Sequence, residues 1–387
     1  MAKKNEFSPQ ILAAGLAEIC ARSLIAEGRE LFWTIIANPK AGGFTIKTRA
    51  KKHYSQLTQC VSAAVSNPAQ IRRSPSKTAS RNKYGLILTN GKGHAEKITE
   101  ALIKEAAGSN EAAGSKEAAG TPGEANKNPK PLFLIITAGG DGTSLDVLST
   151  ILKAPAEIRS CFAVLRLPMG TGNDGADAFE LDQALRLIIE PSEIFYRRSL
   201  RLVTSTPEKG PYPAFNILSV GLDAFVTHMT NKMKGKLPGD FYKLWVDIAS
   251  LFYDRIYKVG PMEVRACDDS NAEVKKFKDT MLLLAMGESG HRSYGSHNFI
   301  LPDDRNVCAV KQMPLMRKIA FKNLVAASEH VTQPESILFN ASRVEITCEN
   351  PILAQMDGET VLLQKNDFPV AIELTEPVIP VLRLIKN

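Results

Sequence analysis

The densest chemistry in the 387-residue sequence lies at Gly139-Gly140-Asp141-Gly142-Thr143. The segment follows an apolar run, Leu132 to Thr137, and precedes a stretch of helical character. Glycines let the backbone approach a phosphate closely, and the N–H groups of the turn and helix start form an anion nest. The Asp141 carboxylate can orient a metal ion or a hydroxyl. Two more turns sit at equivalent places. Asn38-Pro39-Lys40-Ala41-Gly42-Gly43 leaves the run Phe32 to Ala37, and Leu167-Pro168-Met169-Gly170-Thr171-Gly172-Asn173-Asp174 leaves the run Phe162 to Leu167. Ligands of open parallel sheets bind beyond the carboxyl ends of the strands, where such turns meet. Gly170 to Gly175 also fits the dinucleotide pattern GxGxxG. That fingerprint belongs to the first strand of its unit, whereas here it follows a fourth run with Pro168 and Met169 intervening, so it argues weakly for a dehydrogenase. No GxxxxGK[ST] occurs, which excludes an ordinary P-loop.

The turns need strands to hold them. Phe32 to Ala37, Tyr84 to Leu88, Leu132 to Thr137 and Phe162 to Leu167 are short apolar runs that read as buried strands. Thr48 to Val65, Ala95 to Lys104 and Ser144 to Leu152 read as helices between them, so the alternation predicts a doubly wound parallel-sheet domain over 31–180. Ahead of it, Ser8 as cap, Pro9 in the first turn and a stripe of Leu12, Leu16, Ile19, Cys20 and Leu24 predict a helix within 1–30, stopped by Gly28 and docked on its own domain. Residues 105–130 contain three copies of an EAAGS-type hexapeptide with a Gly in each and no apolar face, which predicts a flexible surface insertion. Beyond about Glu193 the texture changes to β-prone runs: Ser199 to Thr204, Phe215 to Val220, Met262 to Arg265, Met281 to Ala285, Val344 to Cys348 and Val370 to Leu374. One helical stretch, Phe241 to Tyr257, interrupts them. An antiparallel β-sandwich domain is expected over 190–387, with its C-terminal end free to return to the first domain.

Composition sets the outer limits. With 44% hydrophobic and 23% charged residues, the chain is neither a disordered protein nor an integral membrane protein. Formal net charge is +7, and residues 31–95 hold eleven basic side chains with no Asp or Glu. An anionic partner is implied. Nucleic acid is disfavoured because the basic stretch lacks interleaved aromatic residues and a binding motif. Six scattered cysteines without a CxxC pair predict reduced thiols, and no run of apolar residues is long enough to span a bilayer, so a cytoplasmic protein is expected.

Taken together, NPKAGG, GGDGT and LPMGTGND in this order resemble the diacylglycerol kinase catalytic family, which includes bacterial lipid kinases and the sphingosine and ceramide kinases. Thr89 to Ala95, Asn216 to Asp223 (NILSVGLD), the region of Lys234, Gly235 and Tyr242, and Met356-Asp357-Gly358-Glu359 are similar to further motifs of that family. The resemblance implies transfer of the ATP γ-phosphoryl to a lipid hydroxyl with Mg²⁺. Asn38, Gly42, Thr89, Gly139, Gly140, Gly142, Thr143, Ser144, Leu145, Gly170, Thr171 and Asn173 would then bind ATP. Asp141 and Glu359 would be catalytic, Glu359 as the base for the hydroxyl proton. Taken without the family, Asp357-Gly358 is simply a hairpin turn. The implied partners are a lipid such as diacylglycerol and an anionic membrane surface touched peripherally, and a homodimer is an open expectation.

Two segments depart from the family. Its Asp-Gly-x-x-Asp metal segment reads Asp303-Asp304-Arg305-Asn306-Val307-Cys308 here, preceded by Tyr294-Gly295-Ser296-His297, which leaves Asp304 as the candidate metal carboxylate. After Asn173-Asp174 the family continues with an aromatic residue and Ala-Arg, whereas this chain has Gly175-Ala176-Asp177. Two alternatives therefore stand beside the lipid kinase: an NAD kinase-like enzyme, which shares a GGDGT loop, and a non-catalytic nucleotide or lipid sensor of the same fold. His94 and His297 have no partner at ligand spacing and read as structural or surface residues.

Overall fold

The computed structural model describes residues 7–23, 25, 29–66, 85–117, 130–170, 172–233, 253–257, 259–294 and 298–385. The chain divides into two compact units, Met1–Arg197 with Val378–Asn387, and Arg198–Pro377.

The first unit opens with α1 (Pro9–Cys20), whose Ser8 hydroxyl accepts the Ile11 N–H at 3.3 Å. Leu12, Leu16, Ile19 and Cys20 are buried, so the apolar stripe docks on its own unit as expected, against α3. Leu24 and Gly28 lie outside the described residues. Next come β1 (Leu31–Ala37), α2 (Gly42–Thr45), α3 (Lys47–Ser66), β2 (Leu86–Leu88), α4 (His94–Glu117) and β3 (Leu132–Ala138). Then follow α5 (Asp141–Lys153), α6 (Ala156–Arg159), β4 (Phe162–Arg166), α7 (Leu181–Ile189) and β5 (Ser192–Arg197). The sheet order is β2-β1-β3-β4, then the late strand Ile379–Leu384, then β5. The first four strands are parallel. Ile379–Leu384 runs parallel to β4 and antiparallel to β5, so the expected parallel sheet carries an antiparallel edge.

Residues Ile35, Ala37, Leu134, Ile136, Ala163 and Leu165 face α1, α3 and α7 in one core. The alternate set, Ile36, Ile135 and Val164, is buried too, as a sheet covered on both faces requires. Helix α7 packs on α3, which carries the unit past the expected limit at 180. A second correction concerns the hexapeptides. Glu105 to Glu117 continue α4 instead of forming a flexible insertion. Once the turns His94 to Lys104 have nucleated the helix, adding Ala and Glu residues is favourable enough to carry Gly108 and Gly114. Ala106 is buried. The remainder of the hexapeptide stretch, 118–129, lies outside the described residues.

The second unit is the expected antiparallel β structure. Its strands are β6 (Leu200–Val203), β7 (Tyr212–Ala214), β8 (Ile217–Gly221), β9 (Pro261–Cys267), β10 (Glu273–Gly287), β11 (Arg292–Tyr294), β12 (Asn298–Leu301) and β13 (Val307–Lys311). They continue with β14 (Ser336–Phe339), β15 (Arg343–Cys348), β16 (Ile352–Met356), β17 (Glu359–Leu363) and β18 (Val370–Leu374); Ile379–Leu384 is β19. The helices are α8 (Leu222–Met233), α9 (Tyr253–Ile256) and α10 (Leu315–Ala326). Strand β10 joins the layers: Glu273 to Thr280 pair with β9, while Leu283 to Gly287 pair with β8 and β13. The two layers bury Leu202, Val220, Val264, Leu284, Val344, Ala354 and Ile372 in one core. Of the helix expected over Phe241 to Tyr257, only Tyr253–Ile256 falls within the described residues, and Lys234, Gly235 and Tyr242 fall outside them.

Two buried histidines make stability depend on pH. Burial holds His53 of α3 below the ordinary imidazole value, although the Gly43 backbone and Glu180 pull the other way. His330 in the second unit is likewise lowered by burial, with its Nε2 at 3.0 Å from the Ile300 carbonyl. A depressed histidine binds its proton more readily in the unfolded chain, so its contribution is complete above the unfolded pKa and is lost as pH falls toward the folded one. Melting temperature should therefore drop between about pH 7.5 and about pH 5.5, and His53→Leu with His330→Leu should flatten that slope. An unchanged slope in the double variant would assign the loss to carboxylates instead.

Candidate functional site

The three glycine turns do meet in the first unit, beyond the carboxyl ends of β1, β3 and β4. The Asn38 N–H donates to the Ala138 carbonyl at 3.0 Å, tying the end of β1 to the end of β3. The Asn38 side-chain oxygen accepts the Lys40 N–H at 3.0 Å, and its carbonyl accepts the Ala41 N–H at 3.0 Å, which folds the first turn back on itself. Gly42 then opens α2, and the Gly43 N–H donates to the Met169 carbonyl at 2.8 Å, joining the first turn to the third. Thr89 ends the β2 side beside them, with its N–H 2.8 Å from the Ala37 carbonyl.

The middle turn touches the third more closely still. A Cβ on Gly170 would stand 2.9 Å from the Gly140 Cα, so only glycine permits the two backbones this approach. Asp141 begins α5, and its Oδ1 accepts the Gly175 N–H at 3.3 Å. The Thr143 N–H reaches the Gly140 carbonyl at 3.0 Å, and the Ser144 and Thr137 hydroxyls are 2.9 Å apart, anchoring the helix start to β3. Gly139, Gly142 and Leu145 belong to this same strand-to-helix junction. Asn173 adopts φ 61°, a left-handed turn residue in the third turn. Thr171, expected to contact nucleotide, lies outside the described residues. Together these contacts present the N-terminal N–H groups of α5 beside glycine backbones, an arrangement suited to a polyphosphate.

Two residues, Arg49 and Arg166, were not singled out from the sequence. Arg49 on α3 donates from Nη1 to the Gly170 carbonyl at 2.8 Å. Arg166, the last residue of β4, pairs bidentately with Asp177: Nη2 and Nε lie 2.7 and 3.1 Å from Oδ1, and the Arg166 N–H donates to Oδ2 at 2.7 Å. The unusual Gly175-Ala176-Asp177 segment thus carries the carboxylate that fixes the third turn to its strand. A charge at the end of a strand otherwise apolar is the available signal, since a buried arginine demands a partner. His94 is structural, with its Nδ1 accepting the Asn90 N–H at 3.1 Å.

In the second unit Asp357 and Gly358 have φ 46° and 98°, the two left-handed positions of a tight hairpin between β16 and β17. The Asp357 carboxylate accepts the backbone N–H groups of Phe215, of Asn216 at 3.1 Å and of Ile217 at 2.9 Å. Asp357 therefore organises the start of β8. Glu359 follows as the first residue of β17, half-buried and paired across the hairpin with Met356. The turn ahead of it is pinned by Asn231, whose side-chain N–H₂ donates to the Gly358 carbonyl at 2.7 Å, and by Gln355, whose Oε1 accepts the Gly358 N–H at 3.0 Å. Gln355 also donates to the buried Asp223 carboxylate at 3.1 Å.

The altered metal segment does not fit a divalent cation. The Asp304 side chain is 99% exposed and meets His291 at 3.0 Å, while the Arg305 guanidinium occupies Asp303 at 2.5 Å. Complete burial pushes the Cys308 thiol up to about 12, so it stays neutral where the family has a carboxylate. Among the described residues no group of three His, Cys, Asp or Glu is placed to hold a metal ion. Residues 295–297, including His297, lie outside them. All six cysteines are unpaired and buried, in keeping with the reduced thiols expected.

Residues 33–194 match the family model of the diacylglycerol kinase catalytic domain. This stretch is a diacylglycerol kinase catalytic domain. The match begins in β1 and ends in β5, and so takes in all three turns. Relatives named "Probable lipid kinase YegS-like" from Yersinia pestis (strain Pestoides F) and Yersinia pseudotuberculosis serotype O:1b are each 23% identical over 241 residues, covering 58% of this chain and 71% of theirs. A crystal structure of a diacylglycerol kinase from Bacillus anthracis str. Sterne has a TM-score of 0.51 at 18% identity, covering 90% of this chain and 96% of that one. At that identity the likeness speaks for the fold, an α/β unit followed by antiparallel β structure. No described helix is long and apolar enough to cross a membrane.

Proposed function

We propose that this diacylglycerol kinase-type domain uses Mg-ATP to phosphorylate a lipid hydroxyl, with diacylglycerol as the leading acceptor. The observation that carries the reading is the convergence of three glycine turns on the N-terminus of α5, with Gly170 against Gly140 and Gly43 bonded to Met169. Backbone N–H groups at that junction would take the phosphate oxygens, with Asn38, Gly42, Thr89, Gly139 to Leu145, Gly170, Thr171 and Asn173 forming the nucleotide surface. Mg²⁺ bound with ATP would supply charge neutralisation at its phosphates. Asp141 keeps the third turn in place through Gly175 and would be the carboxylate that orients the nucleotide-bound ion. The lipid oxygen attacks the γ-phosphorus as the bond to the ADP oxygen breaks, and Glu359 takes the hydroxyl proton. Apposition to an anionic bilayer would give the protein its acceptor, with basic residues of 31–95 such as Lys40, Lys51 and Lys92 facing the lipid charges.

The decisive assay incubates the protein with Mg-ATP and, separately, diacylglycerol, sphingosine, ceramide and NAD, and identifies the phosphorylated product. Phosphorylated lipid is expected, with Glu359→Ala and Asp141→Ala each lowering the rate by about a hundredfold or more. Phosphorylated NAD would overturn the lipid reading. Nucleotide binding without any product would replace it by the sensor.

A further inference from the structure

Gln355 is out of keeping with its strand. All five residues of β16 are buried, and the other four are apolar. A buried amide is tolerated where its oxygen and its N–H₂ both find partners, and here they do. The N–H₂ donates to the Asp223 carboxylate at 3.1 Å, and Oε1 accepts the Gly358 N–H at 3.0 Å. Asp223 is itself buried in the first turn of α8, where the helix dipole favours a carboxylate, and it accepts the Ser219 hydroxyl of β8 at 2.5 Å. The same helix reaches the hairpin twice more. Asn231 donates to the Gly358 carbonyl at 2.7 Å, and His228 Nδ1 lies 3.2 Å from the Thr360 hydroxyl. The peptide groups before and after Gly358 are thus both bonded to side chains, and the second of them leads directly into Glu359. A glycine at φ 98° has wide backbone freedom, which these bonds remove. Gln355 pairs with Thr360 across the hairpin while Glu359 pairs with Met356, so alternation puts Gln355 and Glu359 on opposite faces, and Gln355 acts on Glu359 through the turn.

We propose that Gln355, oriented by Asp223, and Asn231 are positioning residues for Glu359: by fixing the peptide groups on either side of Gly358 they hold its carboxylate where the lipid hydroxyl proton is taken. This rests on the reading above that Glu359 takes that proton. It gives α8 a part in the reaction through the turn it grips.

Initial rates with Mg-ATP and diacylglycerol, sphingosine or ceramide, whichever the native protein phosphorylates, separate this role from a structural one. Asn231 is exposed, so Asn231→Ala and the isosteric Asn231→Asp should fold normally. Each should lower kcat about ten- to a hundredfold while KM for ATP stays within about twofold, since misplacing a reacting group by about 1 Å costs a loss of that order. Gln355→Leu should do the same, and if it fails to fold the two Asn231 variants decide. In a Glu359→Ala background the same substitutions should cost less than about twofold, because residues that act through one group are not additive. The full loss in that background, or native kcat in the Asn231 variants or in a folded Gln355→Leu, would overturn the positioning role while leaving the kinase reading standing. A native rate in Glu359→Ala itself would remove the base and this inference with it. Failure of the native protein to phosphorylate any of the three lipids would instead overturn the lipid kinase reading.

Discussion

Asp177→Ala is expected to lower the melting temperature of the first unit by about 10 °C. The Arg166 and Asp177 side chains are 5% and 6% exposed, and the carboxylate accepts Nε, Nη2 and the backbone N–H of Arg166. In return the Asp177 N–H donates to the Arg166 carbonyl at 3.0 Å, so four hydrogen bonds close the segment from strand to turn. Arg197 of β5 approaches the same carboxylate at 3.9 Å. Removing one member of such a pair leaves an uncompensated buried charge and costs about 3–5 kcal/mol, and at about 2–4 °C per kcal/mol for a unit of this size the shift is large. Arg166→Leu combined with Asp177→Leu should recover much of the loss, because replacing both partners removes the stranded charge. A melt within about 2 °C of the native protein for Asp177→Ala would show that water reaches the pair.

The second large effect is on binding. Gly170→Ala places a methyl group 2.9 Å from the Gly140 Cα and 3.1 Å from the Asn173 side chain, and the first of these is backbone that cannot swing aside. The turns after β3 and β4 must then separate. Overpacking of this kind costs about 1–3 kcal/mol of stability. Its larger consequence is for ATP, since misplacing the donors of a preorganised phosphate site forfeits several bonds together, and affinity should fall by about a hundredfold. Gly91→Ala, where nothing lies within 4 Å of the added methyl, is the control and should bind normally. Native affinity in Gly170→Ala would mean that the close approach serves the fold alone.

Much of this site was legible in the sequence because its parts are local. A run such as Leu132 to Thr137 followed by five small or turn-forming residues fixes a strand, its end and the next helix start, and β3 and α5 appear where that pattern puts them. The long-range parts were not legible. Nothing near Asp177 announces that its partner is Arg166 eleven residues earlier, and Arg49 meets Gly170 across 121 residues. The hexapeptides differ for another reason: their helix propensity is weak on the repeat alone, whereas α4 arrives already nucleated at Glu105. In the second unit the runs at Val344 and Val370 gave β15 and β18 closely, but β16 and β17 were read only as a turn motif. At Asp357-Gly358-Glu359 the structure separates a residue that builds the hairpin from one that follows it.

The strand Ile379–Leu384 sets a timetable for synthesis. It lies between β4 and β5 in the first sheet, yet it is made only after every residue of the second unit. Until then β5, whose six register pairs are all with this strand, has no neighbour, and the edge of β4 stands open. An unpaired edge is a template for association with other chains. The first unit, though it begins first, is therefore the second of the two to be finished, and its exposed edge lasts for as long as the β unit takes to emerge from the ribosome.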